Sequence, residues 1–146
     1  MRAAIMRKGQ LVVDEVDLPE PLDHHVVVET VACGICGSDL HCLHHADQFV
    51  ATAREGGFDR FVFDPANDIV MGHELAGRIL RPAADGTGPA EGTTVAVMPR
   101  ATLSNRETTL GYSDTHPGGY AERFVADAAC CVTVPEGMDP TRAALT

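Results

Sequence analysis

Short apolar and β-branched runs recur along the chain, and each is bounded by Gly, Pro or Asp. Such runs between turn-forming residues are typical of β-strands. Prolines fall between the runs, where a missing backbone N–H removes no hydrogen bond from a sheet. The pattern predicts a mainly β domain, a barrel or sandwich rather than a βαβ sheet. The predicted strands cover residues 3–6, 11–16, 26–32, 75–80, 94–98, 120–126 and 131–134.

Other segments depart from this strand pattern. Ser38 is a suitable helix cap, so a short helix is expected over 38–45, and 46–55 forms a second one. Residues 100–117 are polar and do not alternate, which predicts a long surface loop. Asp139 followed by Pro140 predicts a helix start that runs to Thr146. Because so short a helix is unstable alone, we expect the chain to be a fragment interrupted within it.

Composition and charge exclude several classes of partner. The chain has 146 residues, the size of one domain, which we expect to cover residues 1–146. Eleven Lys and Arg against 21 Asp and Glu give a net charge of −10 without a basic run, which argues against nucleic acid and anionic membranes. No apolar stretch reaches spanning length and the N-terminus is charged, so a cytoplasmic protein is expected.

Two short motifs carry the candidate chemistry. The segment Gly-Ile-Cys-Gly-Ser-Asp-Leu-His at 34–41 places four reactive side chains after a predicted strand: Cys36, Ser38, Asp39 and His41. The segment Gly-His-Glu at 72–74 adds His73 and Glu74. Thiolate and imidazole are ligands that Zn²⁺ prefers, and fewer than four protein ligands leave a position for a substrate oxygen.

Other interpretations of these residues remain open at this point. Cys33 and Cys36 have the spacing of a redox dithiol, although the chain lacks the βαβ setting in which such motifs occur. His73 alone fits a structural histidine, and Glu74 alone fits a solvated carboxylate. A stand-alone barrel for binding or assembly, without catalysis, would also use Cys36 and His73 structurally.

The ordered pair of motifs at 34–41 and 72–77 resembles the zinc signature of medium-chain, alcohol-dehydrogenase-like oxidoreductases. Segments 118–122, 134–137 and 139–146 also resemble that family. The resemblance implies a GroES-like, partly open β-barrel with a few short helices, followed in the family by a Rossmann domain that this sequence lacks. It implies a zinc-dependent enzyme, homo-oligomeric when complete, that transfers hydride between a small alcohol, polyol or carbonyl substrate and NAD or NADP.

The resemblance also assigns roles to individual residues. One catalytic zinc would be held by Cys36 and His73, with Glu74 as a nearby carboxylate that acts as a ligand in some states. Asp39 would orient His73. Ser38 would hydrogen-bond the substrate oxygen, and His41 would pass its proton outward through the cofactor ribose. Because zinc has no redox chemistry of its own, a nicotinamide must accept the hydride.

Several features differ from the family pattern. No G-x-G-x-x-G occurs, so NAD or NADP would be held by the missing domain, and the fragment alone should be inactive. A further zinc ligand would follow residue 146. No Cys lies between Cys42 and Cys130, so the structural zinc that many relatives hold in the region 98–117 is predicted to be absent. Four cysteines are predicted to be small buried hydrophobes: Cys33, Cys42, Cys130 and Cys131.

The segment 42–71 is longer than the resemblance implies. It contains two histidines and four phenylalanines: His44, His45, Phe49, Phe58, Phe61 and Phe63. An insertion beside the zinc could shape the substrate pocket or a subunit contact. It could equally be a surface excursion whose aromatic rings only anchor it to the barrel.

Overall fold

The computed structural model describes residues 1–103 and 106–145. Its strands are β1 (Arg2–Arg7), β2 (Gln10–Glu15), β3 (His25–Gly34), β4 (Ile69–Val70), β5 (Glu74–Arg81), β6 (Thr94–Val97), β7 (Arg100–Leu103), β8 (Arg106–Thr109), β9 (Arg123–Asp127) and β10 (Cys131–Thr133). Its helices are α1 (Gly37–Glu55) and α2 (Pro140–Ala143), with 3-10 turns at Asp59–Phe61 and Ala128–Cys130. Among the described residues, no helix is long and apolar enough to span a membrane.

The described strands form antiparallel sheets that confirm the mainly β prediction. The largest sheet has the order β10-β6-β5-β3-β9, and a second has the order β2-β1-β4. The large sheet does not close on itself within the described residues, as expected for a partly open barrel. All seven predicted strands are present. The strand Ile69–Val70 was not predicted because two residues are too few to show alternation.

One hydrophobic core lies against the large sheet. Val26 and Val28 of β3 are buried in it together with Leu75 and Ile79 of β5 and Phe124 of β9. Successive side chains in a strand point to opposite faces, so residues two or four apart enter the same core. Each fully buried side chain of this size contributes roughly 1.5–3 kcal/mol, which fixes the strands that lead into the site.

Helix α1 is kinked at His45, where φ is −138° and ψ is 40°. The predicted helices at 38–45 and 46–55 are therefore the two halves of one bent element. The kink lies at the boundary between them, which supports the separate assignment of the two halves. The inner face of the helix packs on the barrel through four buried side chains: Cys42, Leu43, Val50 and Ala53.

The prediction of a surface loop over 100–117 was wrong. Strands β7 and β8 form a hairpin there, and the chain after it is buried at Leu110, Tyr112 and His116. Two four-residue strands with one solvent-facing side are too short and too polar to give a clear hydrophobic alternation. Ser104 and Asn105, which belong to the predicted loop, lie outside the described residues.

Two further predictions concern the C-terminal helix and the cysteines. Asp139 caps α2, since its carboxylate Oδ1 accepts the Thr141 N–H at 2.9 Å. Ala143 and Ala144 are buried against the sheet, and Thr146 lies outside the described residues.

The prediction of four buried cysteines is correct only for Cys42. The other three are partly exposed: Cys33, Cys130 and Cys131.

Candidate metal centre and adjoining cavity

Cys36 lies where strand β3 turns into helix α1. It is the N-cap of the helix, and its backbone N–H donates to Oδ2 of Asp39 at 3.0 Å. The Asp39 N–H donates in turn to the Cys36 carbonyl at 3.1 Å. A carboxylate three residues after the N-cap satisfies one of the unpaired donors of the helix start. The same turn therefore fixes the Cys36 thiol and the Asp39 carboxylate relative to each other.

His73 and Glu74 lie where the chain passes from β4 into β5. Gly72 immediately before them has φ +94°, a conformation that favours glycine. A Cβ at Gly72 would also lie 2.7 Å from both the Cys33 Sγ and the Tyr120 ring. The glycine thus permits the close approach of backbone that sets the position of the His73 side chain.

The structure brings Cys36, His73 and Glu74 together, as the motifs predicted. One ligand atom from each lies within 4.8 Å of the others, and all three residues are partly exposed. Gly34 makes room for the Glu74 carboxylate, because a Cβ on Gly34 would overlap it. A thiolate, an imidazole and a carboxylate in one cluster match the donor types that zinc uses, so these residues fit the metal.

Asp39 lies behind His73 and is almost fully buried. Its Oδ1 is 3.3 Å from Nδ1 of His73, and neither atom has another hydrogen-bond partner among the described residues. Burial by itself would raise the pKa of Asp39, but His73, the Cys36 N–H and Tyr120 together hold it below its usual range. The contact with Asp39 raises the pKa of His73, against the opposing effect of burial. With Nδ1 facing Asp39, the other ring nitrogen is free for a metal.

A buried tyrosine, Tyr112, holds the side chain of Ser38 in place through a hydrogen bond. Tyr112 Oη donates to Ser38 Oγ at 2.8 Å, and the Tyr112 ring centroid lies 5.1 Å from that of His73. Hydrogen bonding from Ser38 lowers the pKa of the Cys36 thiol, and the nearby His73 lowers it further. Because Ser38 Oγ accepts from Tyr112, its own proton can be donated to the Cys36 sulfur or to a bound ligand.

Tyr120 is the second tyrosine at the centre. Its Oη donates to Asp39 Oδ2 at 3.0 Å and lies 3.4 Å from the Gly34 carbonyl oxygen. The sequence did not indicate either tyrosine as a site residue. Tyr120 stood in a predicted strand and Tyr112 in a predicted surface loop, so the only available signal was the Gly-Gly-Tyr segment at 118–120.

Comparison with known proteins matches residues 22–136 to the alcohol dehydrogenase GroES-like domain. The chain belongs to this family. It is 28% identical to sorbitol dehydrogenase of Gallus gallus over 94% of this chain. It is 31% identical to D-altritol 5-dehydrogenase of Agrobacterium fabrum (strain C58 / ATCC 33970) over 84% of this chain. The chain spans 39% and 35% of those two relatives.

A solved structure shares the fold. It is described as a zinc-binding dehydrogenase from Sinorhizobium meliloti 1021 and was solved bound to NADP. The match has a TM-score of 0.73 and 23% sequence identity, and it covers 98% of this chain and 41% of the other. At this identity the likeness establishes the GroES-like architecture, and it agrees with the fold that the motifs implied.

His41, in this GroES-like domain, stands outside the cluster of three donors. It is exposed on α1 three residues after Ser38, and its ring centroid lies 5.1 Å from that of His45. Both Ser38 and His41 line one cavity. The structure thus brings His41 to the same opening as Ser38, and the role in proton transfer stays a prediction.

The neighbouring Cys33 has the character of a packed thiol. Burial raises its pKa to about 12, and Sγ lies 3.5 Å from the Gly34 carbonyl oxygen. Since the thiolate is the reactive form, a thiol held protonated is inert as a nucleophile. This property favours a packing role for Cys33 and disfavours a redox dithiol with Cys36.

A second cluster of potential ligands contains His24, His25 and Asp127. The Leu22 N–H donates to Nδ1 of His25 at 3.2 Å, so the proton of that imidazole is on Nε2. That Nε2 lies 3.0 Å from the carbonyl oxygen of Thr102. The cluster is therefore best explained as a hydrogen-bond network that joins β7 to the start of β3.

A cavity of about 660 Å³ opens beside the candidate metal centre. Ser38, His41 and His73 line one end of it. Three of the four phenylalanines in the segment 42–71 also line it, namely Phe49, Phe58 and Phe61, whereas Phe63 is buried in the core. The segment therefore both packs on the barrel and forms a cavity wall, which combines the two interpretations of its aromatic residues.

Proposed function

We propose that residues 1–146 are the catalytic domain of a zinc-dependent oxidoreductase that transfers hydride between an alcohol or polyol and NAD or NADP. The convergence of Cys36, His73 and Glu74 carries the proposal, because it brings three zinc-type donors together and one of them, His73, lines a cavity. The names of the two curated relatives, both polyol dehydrogenases, support the reaction class. Since the chain spans well under half of each relative, the activity belongs to a longer assembly of domains.

Cys36, His73 and Glu74 would hold the metal. When bound, zinc supplies Lewis acidity toward a substrate oxygen. Asp39 faces Nδ1 of His73 and favours a proton on that nitrogen, so the histidine would present its other nitrogen to the metal. The lowered pKa of Cys36 favours the thiolate, the form that binds metal.

Ser38 would exchange a proton with the substrate oxygen. Tyr112 donates to its Oγ and so leaves the Ser38 proton for another acceptor, which suits a group that gives and takes one proton in turn. His41, at the same opening, would carry the proton outward. The nicotinamide would come from the remainder of the protein, as the NADP in the Sinorhizobium meliloti structure suggests for this fold.

Cobalt substitution tests the metal centre directly. We expect the protein to bind one Co²⁺ with the visible absorption of a thiolate-ligated, tetrahedral ion. Cys36→Ser should abolish the thiolate-to-cobalt band, and His73→Ala should weaken binding at least about ten-fold. Cys130→Ser is the matched control, because it removes a free thiol far along the sequence from the centre. An unchanged spectrum in Cys36→Ser would refute the site.

A further inference from the structure

We infer that the cavity beside the metal centre selects an alcohol or carbonyl compound that carries a flat aromatic group next to the reacting carbon, in preference to a polyol. The inference rests on the proposed function for the chemistry at the metal and specifies its substrate class. It departs from the substrates named for the two curated relatives, which are sugar alcohols.

The wall of the cavity is a preassembled group of aromatic rings. Phe49 stacks on Tyr112 with ring centroids 4.9 Å apart and planes 20° from parallel. Phe61 meets Phe49 edge to face at 6.3 Å and Tyr112 at 5.8 Å. Rings that already pack on one another lose little freedom when a further ring joins them, so an aromatic ligand binds at low entropic cost.

Tyr112 connects this wall to the reacting end. Its ring is part of the aromatic group, and its hydroxyl holds Ser38. Its ring also lies 5.1 Å from the imidazole of His73. A ligand whose oxygen reaches Ser38 must therefore place its next few atoms against Tyr112 and Phe49. The cavity volume of about 660 Å³ lies within the range of small-molecule sites.

The polar side chains of the cavity are poorly suited to a polyol. Arg60 and Arg100 both lie near Glu107, at 3.9 Å and 3.3 Å between nitrogen and carboxylate oxygen. Thr109 also lines the cavity, and its buried hydroxyl oxygen, without a hydrogen-bond partner among the described residues, is one group that could bind a ligand hydroxyl. Gln48 and Thr52 are exposed. A buried hydroxyl left without a partner is unfavourable, so a chain of several hydroxyls is disfavoured.

Arg60 adds to the aromatic character. Its guanidinium carbon lies over the Phe61 ring, 4.9 Å from the centroid, so it packs on an aromatic face within the lining. Phe58, which is 55% exposed, completes the lining at the outer side. The segment after the helix kink thus supplies an apolar surface along the path to the metal centre.

Ligand binding to the protein, measured by saturation-transfer NMR and tyrosine fluorescence, tests the inference. The probes are benzyl alcohol and sorbitol, each titrated with and without Co²⁺. We expect benzyl alcohol to bind at least about ten-fold more tightly, the effect of roughly 1.4 kcal/mol. The preference for benzyl alcohol over sorbitol should persist without the metal, because the aromatic rings of the cavity supply it. Equal binding of the two probes, or tighter binding of sorbitol, would overturn the inference.

Two variants locate the preference. Phe61→Leu keeps an apolar side chain and removes the ring, and Phe58→Gln changes an exposed position that the fold does not need. Each should lower benzyl alcohol affinity several-fold and leave sorbitol binding unchanged. Val132→Gln, at an exposed site on β10, is the control and should change neither. Unaltered affinity in both phenylalanine variants would refute the aromatic wall. Failure of the wild-type protein to bind cobalt would instead refute the proposed function and leave the aromatic preference standing.

Discussion

Tyr112 donates a 2.8 Å hydrogen bond to Ser38, a residue 74 positions earlier in the chain. The tyrosine comes from the segment after the β7–β8 hairpin, and the serine from the first turn of α1. Burial raises the pKa of Tyr112, so its hydroxyl stays protonated and can donate to Ser38. The hairpin region thereby fixes the direction in which Ser38 can give its own proton.

Replacing Tyr112 by Phe tests this relationship. The ring remains in the aromatic wall, whereas the donor to Ser38 is lost, so Ser38 can rotate away from its productive orientation. We expect kcat/KM of the complete enzyme to fall about ten-fold, since a misplaced proton-transfer group loses much of its contribution. Benzyl alcohol affinity should stay within about two-fold, because the ring is retained. A normal kcat/KM would show that Tyr112 only packs.

The sequence predicted the three side chains that converge better than it predicted the side chains that hold the site in place. Cys36, His73 and Glu74 lie in local motifs, and each motif joins a strand to the next element in a way that short-range patterns reveal. Tyr112 could not be predicted in the same way, because its role comes from a tertiary contact across the barrel. Its segment is polar and irregular, so a surface loop was predicted there and the burial of Tyr112 was not anticipated.

The fold was predicted in the same uneven manner. Apolar and β-branched runs located β3 and β5, and the two helices predicted at 38–45 and 46–55 meet where the structure has the kink of α1. The β7–β8 hairpin was missed because half of its residues face solvent and its strands are only four residues long. Cavity formation by Phe49 and Phe61 likewise depends on how the kinked helix returns to the barrel, which periodicity alone does not specify.

Asp39→Asn should weaken metal binding. Asparagine keeps the size of the side chain but removes the charge that raises the pKa of His73. Loss of a carboxylate that orients a ligand histidine typically costs ten- to a hundred-fold in metal affinity, so about that decrease is expected in a cobalt titration. Asp47→Asn, an exposed carboxylate on the same helix, is the control. Equal affinities in the two variants would contradict the role of Asp39.

The same pair gives a pH signature in the metal-free protein. The folded-state pKa of His73 is raised, so its stabilising contact is fully present below the ordinary value near 6.5 and is lost as pH rises through the folded pKa. The pKa of Asp39 is lowered, so its contribution is lost as pH falls through its own folded pKa. The free energies of unfolding of wild type and Asp39→Asn, measured with denaturant, should differ most at pH values between the folded pKa of Asp39 and that of His73. A constant difference across pH would contradict the coupling.

Gly72→Ala should destabilise the fold and disturb the metal centre. The residue has φ +94°, and the new methyl group would press on the Cys33 sulfur and the Tyr120 ring. Gly86→Ala is the matched control, because Gly86 has φ +78° but nothing within 4 Å of its Cβ position. The control should lose about 1 kcal/mol of unfolding free energy and Gly72→Ala about 2–4 kcal/mol. Equal losses would mean that packing at Gly72 contributes nothing.

His116 should make the protein sensitive to mild acid. Burial, with a smaller effect from His25, lowers its pKa to about 4, and its Nε2 has no hydrogen-bond partner among the described residues. The unfolded chain takes up this proton near pH 6.5 and the folded chain near pH 4, so the unfolded state binds more protons between these values. The free energy of unfolding should therefore fall as pH decreases from 6.5 to 4, by at most about 3 kcal/mol from this residue. Urea unfolding at pH 7 and pH 5 should show a smaller pH effect in His116→Gln than in wild type. His44→Gln, at an exposed site, should keep the full wild-type pH effect. The same pH effect in His116→Gln would assign the acid sensitivity to other groups.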